Sequence, residues 1–482
     1  MNLIIDTLSF DDVLISPRLS DIESRKIISL KTSLTKKITL NVPLISSPMD
    51  TITEDKMAIE MALNGGLGII HRYNTIEQQV DMVNKVKRYL SYIITNPYTI
   101  LETETIQELL NKIKEHHVYS YLVTDEKNTL KGIVTKRDLN KHIITNKDNS
   151  VKITEIMTPQ NKLKCMYNGK FSRQDVIDLM NEHKIEKVPV TDINFKIQGM
   201  ILYKNLMDYE MNKNTYSLDP QNRLLVGAAV GIVGDYFERA QKLVDAGIDI
   251  LCIDVANGFN QTVVDVVDRL KTLNVEIMVG NVCNPEGFEF LCQAGADCIR
   301  VGIGNGSICS TRLVTGVGSG QFTALMQCRD ISRKYNVGMI SDGGHLGKDG
   351  NIAKAFVVGS CAMILGKTLA ATDETPGRII NRNNRRVKYY RGMASAMAMA
   401  SKAELSKQEY NDNQNPEGVD MEIEIKGPVK NIIKRIESSI KSTMSYIGCK
   451  DTNILRSIEK NIIYYKQSAG VMSETSIRGK TI

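Results

Sequence analysis

The 482-residue sequence predicts an α/β protein built as a (β/α)8 barrel, of the TIM-barrel type, with a tandem repeat inserted into it. Two observations support this. Eight short apolar segments alternate with stretches of helical length, and eight is the strand count of such a barrel. Between the second and third segments, a block of about 120 residues breaks the alternation. An open doubly wound sheet is the alternative, but the Gly-x-Gly-x-x-Gly fingerprint that opens a helix is missing.

The first two strands lie in Val42–Ser46 and Gly65–His71, each followed by a helical stretch, Glu54–Leu63 and Thr75–Tyr89. Near-continuous apolar strands of this kind are typical of parallel sheets covered by helices. The other six strands have the same character and are predicted at Leu224–Val230, Ile248–Val255, Glu276–Gly280, Cys298–Val301, Val337–Asp342 and Ala362–Gly366. We therefore assign residues 1–91 and 213–482 to the barrel.

Residues 92–212 contain the same helix–strand–strand–helix unit twice, at 92–150 and 151–212. The pair resembles two cystathionine-β-synthase (CBS) motifs, which form a nucleotide-sensing module. In that family a Thr-x-x-Asp pattern holds the ribose of a purine nucleoside. Thr135 and Asp138 match it, whereas the second unit has Leu202 and Asn205. The resemblance implies a purine nucleotide effector at the first pair, and a structural or oligomerising insert is the alternative.

Polar or glycine residues follow six of the eight strands on the same side. They are Ser46, Ser47 and Asp50, then Asp254–Gly258, Asn281, Gly302–Cys309, Asp342–Gly344, and Gly366 with Lys367. Barrel enzymes place their chemistry at the carboxyl ends of the strands. The Gly302–Cys309 loop alternates glycines and ends in a thiol, which suggests a phosphate cradle with a nucleophile at its rim. A tight turn with an inert cysteine is the alternative for this loop taken alone.

After the last strand, residues 385–427 are polar and lack apolar periodicity. We expect a long irregular insertion that serves as an active-site flap over about 394–427. A basic amphipathic helix, Pro428–Met444, should follow it and pack on the outside of the barrel.

Composition bounds the classes of function. The net charge of +6 permits anionic small ligands but does not indicate nucleic-acid binding. Nine cysteines show no Cys-x-x-Cys spacing and six histidines no ligand spacing, which argues against disulfides and zinc. Neither a signal peptide nor an apolar run of the ~20 residues that cross a membrane is visible. The predicted location is cytoplasmic. A peroxisome-like organelle is the alternative, although Lys480-Thr-Ile482 does not match the serine-lysine-leucine address.

Four motifs together resemble the IMP dehydrogenase / GMP reductase superfamily over nearly the whole chain. They are Ser46-Ser-Pro-Met-Asp-Thr51, Gly302-Ile-Gly-Asn-Gly-Ser-Ile-Cys309, Ser341-Asp-Gly-Gly344 and Tyr390-Arg-Gly-Met393. The resemblance implies a purine monophosphate substrate, a nicotinamide cofactor and a cysteine adduct at purine C2. It also implies a homotetramer, with an octamer as the alternative.

Within the superfamily, Glu417 stands where the dehydrogenase has glutamine, and Glu409 stands beside Tyr410 where it has arginine. Asp254–Gly258, Met393–Met399 and Glu422–Gly427 also look reductase-like, whereas the CBS pair is more familiar from dehydrogenases. We expect a GMP reductase, which converts GMP and NADPH to IMP, NADP+ and ammonia. IMP dehydrogenase, an inactive nucleotide-sensing protein and a flavin-dependent barrel oxidoreductase are the alternatives.

The resemblance also implies residue roles. Cys309 is the nucleophile, Glu417 the general acid and Thr311 its relay. The substrate would be bound by Ser47, Met49, Ser307, Asp342, Gly343, Gly344, Gly366, Lys367, Tyr390, Arg391, Gly392, Met393, Ala394 and Gly418. The cofactor NADPH would lie on Asp254, Ala256, Asn257, Gly258, Asn281 and Arg300. A monovalent cation, K+, would take backbone carbonyls of Gly304, Gly306 and Cys309. A turn-capping Asp342 and a merely solvated Glu417 are the alternatives to these roles.

Overall fold

The computed structural model describes residues 4–90, 92–94, 96–145, 148–167, 171–400 and 415–474. The chain divides into two compact units. One contains residues 1–89 and 215–482, and the other contains residues 90–214. Each unit has its own buried core.

The first unit is a closed barrel of eight parallel strands, which confirms the predicted fold. The strands are β1 (Leu44–Ser46), β2 (Leu67–Ile70), β3 (Gly227–Val230), β4 (Ile250–Asp254), β5 (Glu276–Val282), β6 (Cys298–Val301), β7 (Gly338–Asp342) and β8 (Ala362–Leu365). Each strand pairs with the next one in the chain, and β8 pairs with β1 to close the barrel, with Met363 opposite Leu44. The pairing of β2 with β3 brings together strands that the inserted segment separates in sequence.

Helices cover the barrel strands. The bounds are Asp55–Leu63, Ile76–Arg88, Tyr236–Asp245, Gln261–Lys271, Pro285–Gln293, Thr311–Thr315, Gln321–Tyr335 and Asp349–Val357. Several begin at a polar N-cap; the Thr75 hydroxyl, for example, accepts a hydrogen bond from the Gln78 backbone N–H. The basic amphipathic helix predicted after the insertion is Val429–Tyr446; it has a row of buried isoleucines and contacts the helix Asp349–Val357. The helices Thr452–Ile458 and Ala469–Glu474 follow it.

Three smaller sheets occur in the described part of this unit. Val13–Ile15 pairs with Tyr464–Lys466, and Thr32–Ser33 pairs with Thr39–Leu40. The third sheet has the strands Ile380–Arg382, Arg385–Arg391 and Asp420–Glu424.

The third sheet corrects the expectation that residues 385–427 are irregular, because both ends of that segment are strands. The sequence does not show the apolar alternation of a strand here, because the charged Lys388 is buried together with Val387 and Tyr390. The ammonium of Lys388 donates to the backbone carbonyls of Thr372 and Thr375, which satisfies a charge that apolar periodicity would not predict there. Residues 401–414, which include Glu409 and Tyr410, lie outside the described residues.

The second unit contains two four-stranded sheets of similar build. One sheet has the strands Thr99–Leu101, Tyr121–Thr124, Leu130–Val134 and Thr158–Pro159; the other has Ile93–Ile94, Met166–Tyr167, Lys187–Thr191 and Ile197–Leu202. Helices Ile106–His116 and Lys136–Thr145 accompany the first sheet, and Arg173–His183 and Tyr203–Asn212 accompany the second. Through the described part of the chain, no helix combines the length and apolarity needed to cross a bilayer.

The predicted nucleotide pair of this unit lies at the start of a helix. The Asp138 carboxylate accepts hydrogen bonds from the backbone N–H and the hydroxyl of Thr135, at 2.9 and 2.7 Å. Both bonds run from Thr135 to the same oxygen of Asp138, as in one half of a capping box, which is a local structural role for the two residues. In the second repeat Leu202 precedes the equivalent helix and makes no side-chain cap.

Candidate functional site

The carboxyl ends of the barrel strands surround a cleft of about 370 Å³, within the range of small-molecule sites. Most of the residues predicted for substrate, cofactor and catalysis line it: Ser47, Met49, Asp254, Ala256, Asn281, Arg300, Gly304, Gly306, Cys309, Thr311, Asp342, Gly366, Tyr390, Gly392, Met393, Ala394, Glu417 and Gly418. Seven predicted residues are not among the lining residues: Ser307, Gly343, Gly344, Lys367, Arg391, Asn257 and Gly258.

Cys309 reaches the cleft on the loop that follows β6. The first glycine of this loop is required by space, since a Cβ atom on Gly302 would lie 2.1 Å from the Asp342 carbonyl oxygen and its φ is +144°. Gly304 has a φ of +74° and packs against the Arg312 side chain. The loop therefore passes close to β7 and turns back, leaving Cys309 just before the short helix Thr311–Thr315.

Cys309, Thr311 and Glu417 form a continuous chain of polar contacts. The Thr311 hydroxyl donates a hydrogen bond of 2.7 Å to Glu417 Oε2. The same hydroxyl oxygen lies 3.2 Å from the Cys309 sulfur. A proton can thus pass between the carboxyl and the neighbourhood of the thiol through a single hydroxyl.

Backbone pairing brings Glu417 to this place, although it lies 106 positions from Thr311. Gly418 pairs with Cys309 in a short antiparallel bridge. The Ser310 N–H donates to the Glu417 carbonyl at 3.0 Å, and the Val419 N–H donates to the Ile308 carbonyl at 3.0 Å. The backbone of Glu417 is thereby held against the loop that carries Cys309.

The Asp342 carboxylate at the end of β7 is held by two neighbouring strands. Its Oδ2 accepts from Arg300 Nε and Nη2, at 3.0 and 2.7 Å, and from Asn281 Nδ2 at 2.8 Å. Arg300 also donates to Asp254 Oδ1 at 2.5 Å. The Arg300 guanidinium and Asn281 Nδ2, on two residues predicted to lie under the cofactor, thus contact carboxylates. Asp342 Oδ1 accepts no hydrogen bond from any described residue, which leaves it available to a ligand hydroxyl.

The predicted phosphate end of the cleft centres on Tyr390. Burial raises the pKa of its phenol, despite an opposing hydrogen bond with Ser307, so the phenol stays neutral near pH 7 and can donate. Gly366 lies directly against it, since a Cβ atom there would be 2.7 Å from the phenolic oxygen. The Gly344 N–H, in contrast, donates to the Asn305 carbonyl at 2.8 Å.

Two further residues predicted to bind substrate contact residues outside the cleft lining, Arg391 through its side chain and Lys367 through its backbone carbonyl. The guanidinium of Arg391 is directed at the largely buried Asp50, with Nε 2.9 Å from Oδ2. The Lys367 carbonyl accepts a hydrogen bond of 2.6 Å from the Lys426 ammonium. Both residues brace segments that line the cleft.

Sequence reasoning did not identify Arg72 and Tyr73, which also line the cleft. They follow β2 directly, and this position at the active end of the barrel was the available signal. Arg72 forms no ion pair with any residue of the described ranges. The Tyr73 hydroxyl donates to the Met393 carbonyl at 2.8 Å.

A buried polar network behind the cleft was also missed. The side-chain amide of Gln321 donates to the Val301 carbonyl and the Ser341 hydroxyl and accepts from Asn305. The Ser341 hydroxyl lies 3.1 Å from His345 Nε2. Burial lowers the pKa of His345 from 6.5 to about 4, so the imidazole is neutral at pH 7. The network joins the Cys309 loop to the ends of β6 and β7.

The groups predicted to hold the cofactor and the cation differ in how far their polar atoms are already hydrogen-bonded within the protein. Asp254 and Ala256 line the cleft, whereas Asn257 Oδ1 accepts from the Phe259 N–H and the Gly258 N–H donates to the Asn281 carbonyl. No cluster of three His, Cys, Asp or Glu side chains suited to a metal ion occurs among the described residues. Among the described residues, the backbone carbonyls of Gly304 and Cys309 accept no hydrogen bond, whereas that of Gly306 accepts one from the Cys309 N–H at 3.1 Å. Neutral backbone oxygens of this kind suit a monovalent cation.

Comparison with known proteins places this geometry in a family. The IMP dehydrogenase / GMP reductase domain matches residues 7–477. An inosine-5'-monophosphate dehydrogenase of Nitrosopumilus maritimus is 37% identical, with 97% of each chain covered. A GMP reductase of Leishmania major is also 37% identical, over 92% of this chain and 91% of that protein.

A solved structure extends the similarity to three dimensions. A Cys-to-Ala variant of GMP reductase from Trypanosoma brucei, in complex with guanosine 5'-monophosphate, matches with a TM-score of 0.87 and 36% identity over 99% of both chains. A family match and similarities of this extent settle the family. The chain belongs to the IMP dehydrogenase / GMP reductase family of nicotinamide-dependent oxidoreductases.

Proposed function

We propose that this protein is a GMP reductase, which converts GMP, NADPH and two protons to IMP, NADP+ and ammonium. The observation that carries the proposal is the contact chain from the Cys309 sulfur through the Thr311 hydroxyl to the Glu417 carboxyl, at 3.2 and 2.7 Å. This chain places an acid within one hydroxyl of the atom that attacks the purine.

In the first half of the reaction, the Cys309 thiolate adds to purine C2, which is electron-poor between two ring nitrogens. The 2-amino group then leaves with the C2–N bonding electrons. An amine leaves well only when protonated, so Glu417 delivers a proton through Thr311 to the departing nitrogen. Bound NADPH supplies the hydride that replaces the sulfur at C2. The C2–S bonding electrons return to Cys309.

The other residues hold the nucleotide. Asp342, with one oxygen unengaged by the described residues, accepts the ribose hydroxyls. Ser307, Gly366 and Tyr390 meet the phosphate, where a neutral phenol can donate to an anion. Asp254 and Ala256 face the nicotinamide cofactor, and the carbonyls of Gly304, Gly306 and Cys309 hold a K+ ion.

Glu417 distinguishes the reductase from IMP dehydrogenase, which must activate a water molecule instead of protonating an amine. A glutamine at this position could hold the Thr311 hydroxyl but could not supply a proton. The second candidate function is nevertheless IMP dehydrogenase, which oxidises IMP with NAD. It is favoured by relatives of that name that match almost the full chain.

For the second unit we propose a regulatory role through purine nucleotides bound near Thr135 and Asp138, in an assembly of four subunits. An inactive nucleotide-sensing protein would keep this role without the chemistry. It predicts an unreactive Cys309, whereas an enzyme predicts that GMP protects the thiol from alkylation.

The proposal is tested with GMP that carries 15N in its 2-amino group. In the presence of NADPH, labelled ammonia should appear in equal amounts with IMP and NADP+. Cys309→Ala should release none. Two results would refute the reductase. One is consumption of NADPH without release of labelled ammonia; the other is no consumption of NADPH with GMP in a preparation that turns over IMP with NAD.

A further inference from the structure

A tyrosine outside the proposed catalytic chain contacts the backbone that faces the nucleotide. Tyr73 is partly buried on the loop after β2, and its hydroxyl donates to the Met393 carbonyl at 2.8 Å. Burial raises the pKa of this phenol, so near neutral pH it carries the proton that it donates.

The loop that carries Tyr73 is braced on several sides. The Tyr73 N–H donates to His71 Nδ1 at 3.1 Å. The His71 carbonyl accepts from the side-chain amides of Asn74 and Gln79, at 3.1 and 2.9 Å. Arg239 in turn donates to Asn74 and Gln79. These contacts hold the loop in place, and with it the position of the Tyr73 side chain in the wall of the cleft.

The contact with Met393 sets the direction of a peptide group. In a planar trans peptide the C=O of one residue and the N–H of the next point in opposite directions. Binding the Met393 carbonyl to Tyr73 therefore fixes where the Ala394 N–H points. Among the described residues, no hydrogen-bond acceptor contacts the N–H of Met393 or of Ala394, although both residues line the cleft.

The same peptide is linked to the proposed acid. The Ala394 carbonyl accepts a hydrogen bond of 3.0 Å from the Glu417 N–H, and the Gly392 N–H donates to the Val419 carbonyl at 3.2 Å. A change in the orientation of the Met393–Ala394 peptide would thus alter the position of Glu417 as well as the contact with the nucleotide.

We propose that Tyr73 is a positioning residue whose hydroxyl orients the Met393–Ala394 peptide, so that the Ala394 N–H can donate to a carbonyl oxygen of the bound purine. The inference rests on the proposed binding of a 6-oxopurine nucleotide in this cleft. It assigns to Tyr73 a role in nucleotide affinity, and through Ala394 a smaller role in the rate of the step that Glu417 assists.

The test compares Tyr73→Phe with the control Tyr335→Phe, which removes a hydroxyl that also donates a 2.8 Å hydrogen bond, to Glu289 on the outer helices. Calorimetric titration with GMP should give a Kd at least threefold higher for Tyr73→Phe, within the three- to tenfold range that one neutral hydrogen bond supports. The control should stay within twofold. A smaller change in Tyr73→Phe, or an equal change in the control, overturns the proposal.

A second measurement separates positioning from a merely structural role. Hydrogen–deuterium exchange at the Ala394 amide should slow when GMP binds to the wild-type protein and should slow much less in Tyr73→Phe. Equal slowing in both proteins, or none in the wild type, contradicts the inference. Both measurements omit the cofactor, so a protein that binds GMP but does not reduce it would refute the proposed function while leaving Tyr73 testable.

Discussion

Replacing Glu417 by glutamine tests the acid most sharply, because the amide has the shape of the carboxyl and can keep the 2.7 Å contact with Thr311. It cannot transfer a proton to a leaving amine. General acid catalysis contributes about 10²- to 10⁴-fold, which corresponds to about 3–5 kcal/mol of barrier. We therefore expect kcat with GMP and NADPH to fall by this factor, while the Kd for GMP changes less than about threefold.

A double-mutant cycle with Thr311→Val tests the relay. If Glu417 acts only through the Thr311 hydroxyl, the double variant should lose no more activity than the worse single variant. Glu424→Gln, an exposed change on the nearby strand Asp420–Glu424, is the control and should keep full activity. Glu417→Gln with kcat within threefold of wild type would refute the acid, and independent losses in the cycle would refute the relay.

The remaining predictions concern the nucleophile, the phosphate end and the buried histidine. Cys309→Ala should abolish turnover yet bind GMP within about threefold of wild type in calorimetry, because it removes the C2 bond and no phosphate or ribose contact; loss of binding would contradict this. Gly366→Ala should raise KM for GMP more than it lowers kcat, since its Cβ would lie 2.7 Å from the Tyr390 oxygen; unchanged kinetics would count against a phosphate site there. The pKa of His345 is lowered from 6.5 to about 4, so as the pH falls this side chain takes up its proton in the unfolded chain before it does so in the folded protein. Its contribution to the free energy of unfolding is therefore fully present above pH 6.5 and is lost as the pH falls towards 4. The loss amounts to about 3 kcal/mol, so His345→Gln should flatten the pH dependence of the melting temperature over this range, and an unaltered slope would contradict it.

The barrel could be predicted from the chain because its strands are short, apolar and regularly separated by helices. The same regularity placed the polar residues that end β1, β4, β5, β6, β7 and β8 on one side. The carboxyl end of β2 was overlooked, since Arg72 and Tyr73 belong to no familiar motif. Only the closed geometry shows that this loop reaches the Met393 carbonyl.

Other features required the third dimension. Glu417 carries no local signal that relates it to Thr311, 106 positions away, and its assignment depended on family resemblance. From the sequence, Gln321 is predicted to be only the first residue of a helix, yet its side-chain amide is buried between Asn305 and Ser341. The strands Arg385–Arg391 and Asp420–Glu424 were not predicted, because Lys388 is buried by hydrogen bonding to carbonyls and not by apolar packing.

A paired absorbance assay of reduced nicotinamide determines whether the protein reduces GMP or oxidises IMP. Purified protein is mixed with GMP and NADPH, and separately with IMP and NAD, at matched concentrations. A GMP reductase should lower the absorbance in the first mixture and cause no comparable rise in the second. Steady NADH formation from IMP and NAD, with no loss of NADPH in the presence of GMP, would contradict it and assign the protein to the dehydrogenases.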